Sequence, residues 1–107
     1  MKVLIVDDEQ PARDRLRQIL ADEDGYDVVG EAANGIDALD VAGRVSPDIV
    51  LLDIRMPGMD GIETAHHLNS MDTPPAVVFT TAYDEYAIDA FEARAIGYVL
   101  KPVRRSR

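Results

Sequence analysis

Four short apolar runs in this chain end in residues that can do chemistry. Val3-Leu4-Ile5-Val6 ends in Asp7-Asp8, and Ile49-Val50-Leu51-Leu52 ends in Asp53. Ala76-Val77-Val78-Phe79 ends in Thr80-Thr81, and Tyr98-Val99-Leu100 ends in Lys101-Pro102. Open α/β sheets place their ligands outside the carboxyl ends of the strands. Parallel strands of one sheet deliver those ends to one edge, so Asp7, Asp8 and Asp53 should converge. Carboxylates crowded in one cleft raise one another's pKa, and a hard divalent cation relieves them. Mg²⁺ takes oxygen ligands, keeps several waters, and is usually held by one or two carboxylates plus a phosphate. The Lys101 amine would neutralise phosphoryl oxygens the metal does not reach, and the Thr81 hydroxyl could donate to another. A carboxylate can act as a nucleophile and form an acyl phosphate. The set therefore suits a phosphorylatable aspartate with a divalent metal. Taken singly, each piece has a plain explanation: Asp-Asp after a strand can simply cap a helix. Their joint occurrence, each at a strand end, carries the argument.

These groups need elements to hold them. Apolar runs alternate with helical patterns, which predicts βαβ units and a parallel sheet. Strands are expected over 2–6, 27–31, 49–53, 76–80 and 97–100. The strand at 27–31, with only Val28 and Val29 as clear core candidates, should lie at an edge. The unbroken apolarity of Ile49 to Leu52 predicts burial on both faces. Pro11 can open the first helix at no hydrogen-bond cost. Its stripe is Ala12, Leu16, Ile19 and Leu20, and Asp24-Gly25 should end it. Asn34 can cap the second helix (stripe Ala38, Leu39, Ala42, Val45), which Ser46-Pro47-Asp48 breaks. The third is expected over 60–70, with Ile62, Ala65 and Leu68 facing in. Asp84 can cap a fourth, with Ala87, Ala90 and Phe91 on one face. The pattern is (βα)₄β. A complete fifth helix is missing, so apolar sheet near the fifth strand should lie uncovered unless a partner covers it.

Composition narrows the class. The chain has 107 residues, a net charge of −9 and no cysteine. One domain, 1–107, with a core but no disulfide frame is expected. The acidic balance argues against phosphate-backbone contacts by this domain itself. The basic cluster Arg104, Arg105 and Arg107 is too short for a nucleic-acid site and reads as well as a linker start or a vector scar. No apolar run approaches a membrane span. The N-terminus enters a strand directly, without a signal peptide, which suggests the native start of a cytoplasmic protein. His66-His67 diverge on a helix and read as surface residues. Met56, Met59 and Met71 read as loop or packing residues.

Together these residues resemble the receiver domain of bacterial two-component response regulators, over the whole chain from Val3 to Pro102. Leu51-Leu52-Asp53-Ile54-Arg55-Met56-Pro57-Gly58-Met59-Asp60-Gly61 is the most specific segment. The stretch from Thr80 to Glu92, with Thr81-Ala82-Tyr83-Asp84-Glu85-Tyr86, is similar to receivers of the LytTR (LytR/AlgR) class of transcription regulators. The resemblance implies a flavodoxin-like five-stranded parallel sheet, order 2-1-3-4-5, doubly wound with helices on both faces. It implies Asp53 as the phosphoacceptor, Asp7 and Asp8 as the acidic metal pair, and Mg²⁺ as the cofactor. It implies the backbone carbonyl of Arg55 as a third protein ligand, Thr81 as the switch hydroxyl, Tyr98 as the switch aromatic and Lys101 as the phosphate-pairing amine. It further implies a sensor histidine kinase as phosphoryl donor and a homodimer through the fourth-helix and fifth-strand face. DNA would be bound only through an output domain that this chain does not contain. The family's fifth helix is absent or truncated here, and a shortened, isolated piece is the favoured explanation. Arg55 and Tyr83 would flank the phosphoryl group and slow its loss to water.

Two other functions compete. A phosphohydrolase with an aspartyl-phosphate intermediate often carries a general acid two residues after its nucleophile. Here that position is Arg55, which cannot serve, and the chain is short for a substrate cap. A phosphorylation-independent interaction module would have no need of Asp7, Asp8, Asp53, Thr81 and Lys101 together.

Overall fold

A computed structural model describes residues 1–82 and 86–101. The elements alternate: β1 (Lys2–Val6), α1 (Gln10–Ala21), β2 (Asp27–Ala32), α2 (Gly35–Val45), β3 (Ile49–Asp53), α3 (Gly61–Asn69), β4 (Ala76–Thr81), α4 (Ala87–Glu92) and β5 (Gly97–Leu100). All strand pairs are parallel, in the order β2-β1-β3-β4-β5. The expected strand order, the edge position of β2 and the bounds of β3 and β5 all hold. The reversal of strand order beside β1 and β3 opens the crevice where such sheets bind ligands.

Helix starts follow local chemistry. Pro11 stands in the first turn of α1, where its missing N–H leaves nothing unpaired. Asn34 caps α2 by accepting from Asp37 N at 2.8 Å. Asp60 caps α3 by accepting from Glu63 N at 2.9 Å. α1 ends at Ala21, short of Asp24-Gly25, because Asp22 N and Glu23 N turn back to Ile19 O and Leu20 O in tighter turns. The expected cap Asp84 lies outside the described residues.

The helices divide unevenly. Ala38 and Ala42 of α2, Ala65 and Leu68 of α3, and Ala90 and Ala93 at α4 pack against Leu4, Val6, Val50, Leu52, Val77 and Phe79. On the other face, Leu16 and Leu20 of α1 pack against Val3, Ile5, Val28 and Leu51. Among the described residues four helices therefore cover the sheet, three on one face and one on the other. This corrects the expectation of full burial for β3: Val50 and Leu52 are buried, but Ile49 and Leu51 only half so. The same face runs on to Val99, which is 37% exposed at the edge strand.

The expected inward face of α4 also needs correction. Ala90 is buried, whereas Ala87 is exposed and Phe91 is 83% exposed. The helix is only six residues long. It is docked through Ala90 and Ala93, and Asn69 Nδ2 donates to Ala93 O at 2.6 Å. That anchorage turns Phe91 outward.

Asn34→Ala should cost about 1 kcal/mol of stability, and Asn34→Gly only a few tenths. Urea denaturation of the two variants beside the parent checks this; equal losses would show that the cap does not act through Asp37 N.

Candidate functional site

The carboxyl edge of the sheet gathers the acids as the topology requires. Asp53 is the last residue of β3, Asp7 and Asp8 directly follow β1, Thr81 closes β4 and Lys101 directly follows β5. One carboxylate oxygen from each of Asp7, Asp8 and Asp53 lies within 4.8 Å of the others. Asp7 and Asp53 are buried and Asp8 is exposed, so the group opens to solvent on the Asp8 side. Lys101 Nζ donates to Asp7 Oδ2 at 2.7 Å and stands 3.6 Å from Asp53 Oδ1. The amine expected to pair with a phosphoryl group thus bonds an acid of the metal pair.

Burial raises the Asp53 pKa from 3.8 to about 6, and the charges of Asp7 and Asp8 push the same way. Lys101 and the N–H of Ile54 pull it back only in part. For Lys101, burial works against the ammonium, but the Asp7 hydrogen bond and the nearby carboxylates outweigh it and the pKa is raised. One ammonium against three carboxylates leaves two formal negative charges. The donor set fits a hard divalent cation: all oxygen, clustered, and short of positive charge.

The backbone under Asp53 is tightly held. Gly61 N donates to Ile54 O at 2.7 Å, closing the loop between β3 and α3. A methyl group at Gly61 would run into the Asp53 carbonyl oxygen, so only glycine fits. Thr64 Oγ1 donates to Asp60 O at 2.7 Å beneath the same loop. At Gly35 a methyl would meet Thr64 Oγ1 and Met59, so α2 also approaches this loop closely.

Thr81 is buried on the same face as Phe79, two positions on. Phe79 is the register partner of Tyr98, which is half-buried against the three-helix core. The two switch candidates therefore sit on adjacent strands and share one face. Lys101 N donates to Thr81 O at 2.7 Å, tying the ends of β4 and β5 together. Arg55 is exposed and helps line an open hollow of about 410 Å³ with Met56, Asp60 and Tyr86. Tyr83, its expected partner in shielding, lies outside the described residues, as do Pro102 and the basic cluster Arg104, Arg105 and Arg107. His66 and His67 are exposed; Met56 is buried, and Met71 packs on the core.

Sequence reasoning missed Arg13 and Glu31. Arg13 Nη1 donates to the Asp7 carbonyl at 2.6 Å, and Arg13 Nε donates to Glu31 Oε1 at 3.0 Å. Glu31 stands near the end of β2, so the edge argument that gathered the other acids applies to it too. Thr80 was named only as part of a run, yet its hydroxyl is buried without a hydrogen-bond partner among the described residues.

The family model for the response regulator receiver domain matches residues 3–107. The chain is 53% identical over 105 residues to the positive alginate biosynthesis regulatory protein of Pseudomonas aeruginosa, covering 97% of this chain and 42% of that protein. It is 47% identical over 107 residues to the sensory transduction protein LytT of Bacillus anthracis, covering 100% of this chain and 44% of that protein. Among solved structures, the response regulatory domain of mrkE from Klebsiella pneumoniae superposes with a TM-score of 0.89 at 36% identity, over 97% of this chain and 85% of that one. A chain from the CheX-CheY-BeF3-Mg²⁺ complex of Borrelia burgdorferi gives 0.90 at 32% identity, over 98% and 81%. The chain belongs to the receiver domain family of two-component response regulators, and its relatives place it with the LytTR type. It spans less than half the length of those two curated relatives. No helix among the described residues is long and apolar enough to cross a membrane.

The raised Asp53 pKa fixes a sign. The folded state holds the Asp53 proton more tightly than the unfolded chain, so its contribution to stability is fully present below pH 3.8 and is lost as pH rises through about 6. In chelator, Asp53→Asn should match the parent near pH 4 and exceed it by on the order of 2–3 kcal/mol at pH 7.5. Urea denaturation at both pH values measures this; a pH-independent difference would contradict it.

Proposed function

We propose that Asp53 accepts a phosphoryl group from a histidine kinase and that the domain relays the event to a transcriptional output. The observation that carries this reading is the convergence of Asp7, Asp8 and Asp53 beside Lys101 at one sheet edge. One Asp53 carboxylate oxygen attacks phosphorus, the P–N bond to the donor imidazole breaks, and that nitrogen leaves with the electron pair. Asp7, Asp8, Asp53 and the Arg55 carbonyl would hold Mg²⁺, and the ion would supply neutralising charge for the transferring group. The CheX-CheY-BeF3-Mg²⁺ complex of a relative supports that choice of metal. Lys101 would then shift from Asp7 toward the phosphoryl oxygens, a small move given that it already stands 3.6 Å from Asp53. Positioning and charge stabilisation supply most of what phosphoryl transfer needs.

The Thr81 hydroxyl then turns to a phosphoryl oxygen, and Tyr98 moves into the space it leaves. Their shared face supports this coupling. The readout would be the surface of α4 and β5, where Phe91 is 83% exposed, Ile96 69% and Leu100 48%. That apolar surface favours a homodimer through this face. Arg55 would hinder water and lengthen the life of the acyl phosphate, so the domain supports its own slow dephosphorylation without being an enzyme for other substrates. The remaining parts of the reading are a cytoplasmic setting, residues 1–107 as one receiver unit, and DNA contacted only by an output domain outside this chain. A phosphohydrolase gains nothing from an arginine at position 55.

Incubation with acetyl phosphate and Mg²⁺ should add one phosphoryl group by intact mass. Asp53→Asn or chelator should abolish the adduct. A folded parent that gains no phosphate would favour the phosphorylation-independent module. Thr81→Ala should still accept phosphate but lose about 1.5–3 kcal/mol of coupling to the output face. The check is oligomeric state by light scattering with and without acetyl phosphate; a normal response in that variant would sink the switch.

A further inference from the structure

Asp7 is held at four atoms. Its N–H donates to Ala32 O at 3.1 Å, and its Oδ1 accepts from Glu9 N at 3.0 Å. Its Oδ2 accepts from Lys101 Nζ at 2.7 Å, and its carbonyl accepts from Arg13 Nη1 at 2.6 Å. Two of these ties are backbone. A third, Lys101, competes with any cation for the same carboxylate. Among the described residues, Arg13 is the one side chain that fixes Asp7 while leaving its carboxylate oxygens to a ligand.

Arg13 is itself aimed. Its Nε meets Glu31 Oε1 at 3.0 Å, and Nη2 meets Gln10 Oε1 at 2.5 Å. Arg17 Nη2 holds the other Glu31 oxygen at 2.6 Å. The Arg13 side chain is only 13% exposed. One guanidinium thus bridges the first turn of α1, the end of β1 and the end of β2. A planar fork with several fixed donors can do this; an ammonium cannot.

We infer that Arg13, aimed by Glu31, is a positioning residue that holds Asp7 in the geometry a divalent cation needs. This rests on reading the acid pocket as a Mg²⁺ site. Charge and geometry make opposite demands here. As a nearby cation Arg13 should repel Mg²⁺, so its removal by charge alone would tighten binding. As a positioning group its removal should weaken binding, since loss of an outer-shell partner typically costs 10–100-fold in metal affinity. The neighbouring Glu31 carboxylate offsets the repulsion, and the guanidinium spends a donor on a peptide carbonyl, so positioning should win.

The chain has no tryptophan, so Mg²⁺ binding is best followed by calorimetry or by amide NMR titration. Arg13→Ala should bind Mg²⁺ at least about tenfold more weakly than the parent. Glu31→Gln should weaken it in the same direction. Arg13→Lys, which keeps the charge but not the fork, should restore less than half of the loss in free energy. Arg44→Ala is the charge control, because Arg44 pairs with Asp40 on an exposed helix face; it should leave binding unchanged or slightly tighter. The Mg²⁺ concentration giving half-maximal phosphorylation should rise in step with the dissociation constant. Unchanged or tighter binding by folded Arg13→Ala overturns the inference. Should that variant fail to fold, unchanged binding by Glu31→Gln overturns it instead. A parent that binds no Mg²⁺ would bring down the reading of the pocket itself and this inference with it.

Discussion

Three carboxylates forced to one edge of a parallel sheet are the constraint around which this domain is built. Two unit charges 4 Å apart interact by about 4 kcal/mol at an effective dielectric near 20. Two of these acids are buried, so solvent does little to spare them. Lys101 answers part of the charge through Asp7, and at Asp53 burial, with the Asp7 and Asp8 charges added to it, still leaves the pKa raised. Such a cluster costs stability in the isolated fold. It persists because the strands that deliver it are held by Val50, Leu52, Val77 and Phe79, all buried in the larger core. The core supplies the stability and the edge uses it, as expected where function opposes folding.

Around the acids the chain allows little freedom. The loop after Asp53 is closed by Gly61 N on Ile54 O and underlain by the Asp60 cap and the Thr64 hydroxyl. The same residues thus start α3 and fix the position of Asp53. The Gly61 position shows how little slack exists, since a single methyl would displace the Asp53 carbonyl. The region around α4 is built differently. α4 is short, and among the described residues it is docked through Ala90, Ala93 and the Asn69 contact, with Tyr86 and Ala95 packed beside it and Phe91 presented to solvent. Few buried apolar contacts mean a low cost of local rearrangement. A rigid acid pocket beside a short helix is the division that the proposed switching would use, a local charge event biasing a two-state element.

Much of this was legible in the sequence, for physical reasons. Chemistry-bearing residues at the ends of Val3–Val6, Ile49–Leu52 and Ala76–Phe79 must meet once the strands are parallel, whatever the details of packing. Asn34 and Pro11 marked helix starts because caps and first-turn prolines are local. Failures came where the answer depended on tertiary surroundings. The inward face of α4 was misjudged because a six-residue helix takes its rotation from its contacts, here Asn69 to Ala93. The half-exposure of Ile49 and Leu51 depends on how many helices lie over one face, which a run of four apolar residues cannot report. Arg13 was passed over because a charged residue on an amphipathic helix ordinarily reads as solvated surface.

The Arg13 cluster extends the logic of the edge beyond the acids. Glu31 reaches it through β2, the outermost strand, and Arg13 through the first turn of α1. The groups that touch Asp7 or the guanidinium that holds it come from the loop after β1, from α1, from β2 and from the end of β5, so no single element sets that carboxylate. The Asp53 backbone, by contrast, is set by its pairing with β4 and by the closed loop that follows it. The two acids are positioned by largely different means, a network of side chains for Asp7 and backbone closure for Asp53, with Lys101 the group that reaches both. A cation spanning both would join the two halves of the edge, and Lys101, already between them, is the group whose placement records whether that junction has formed.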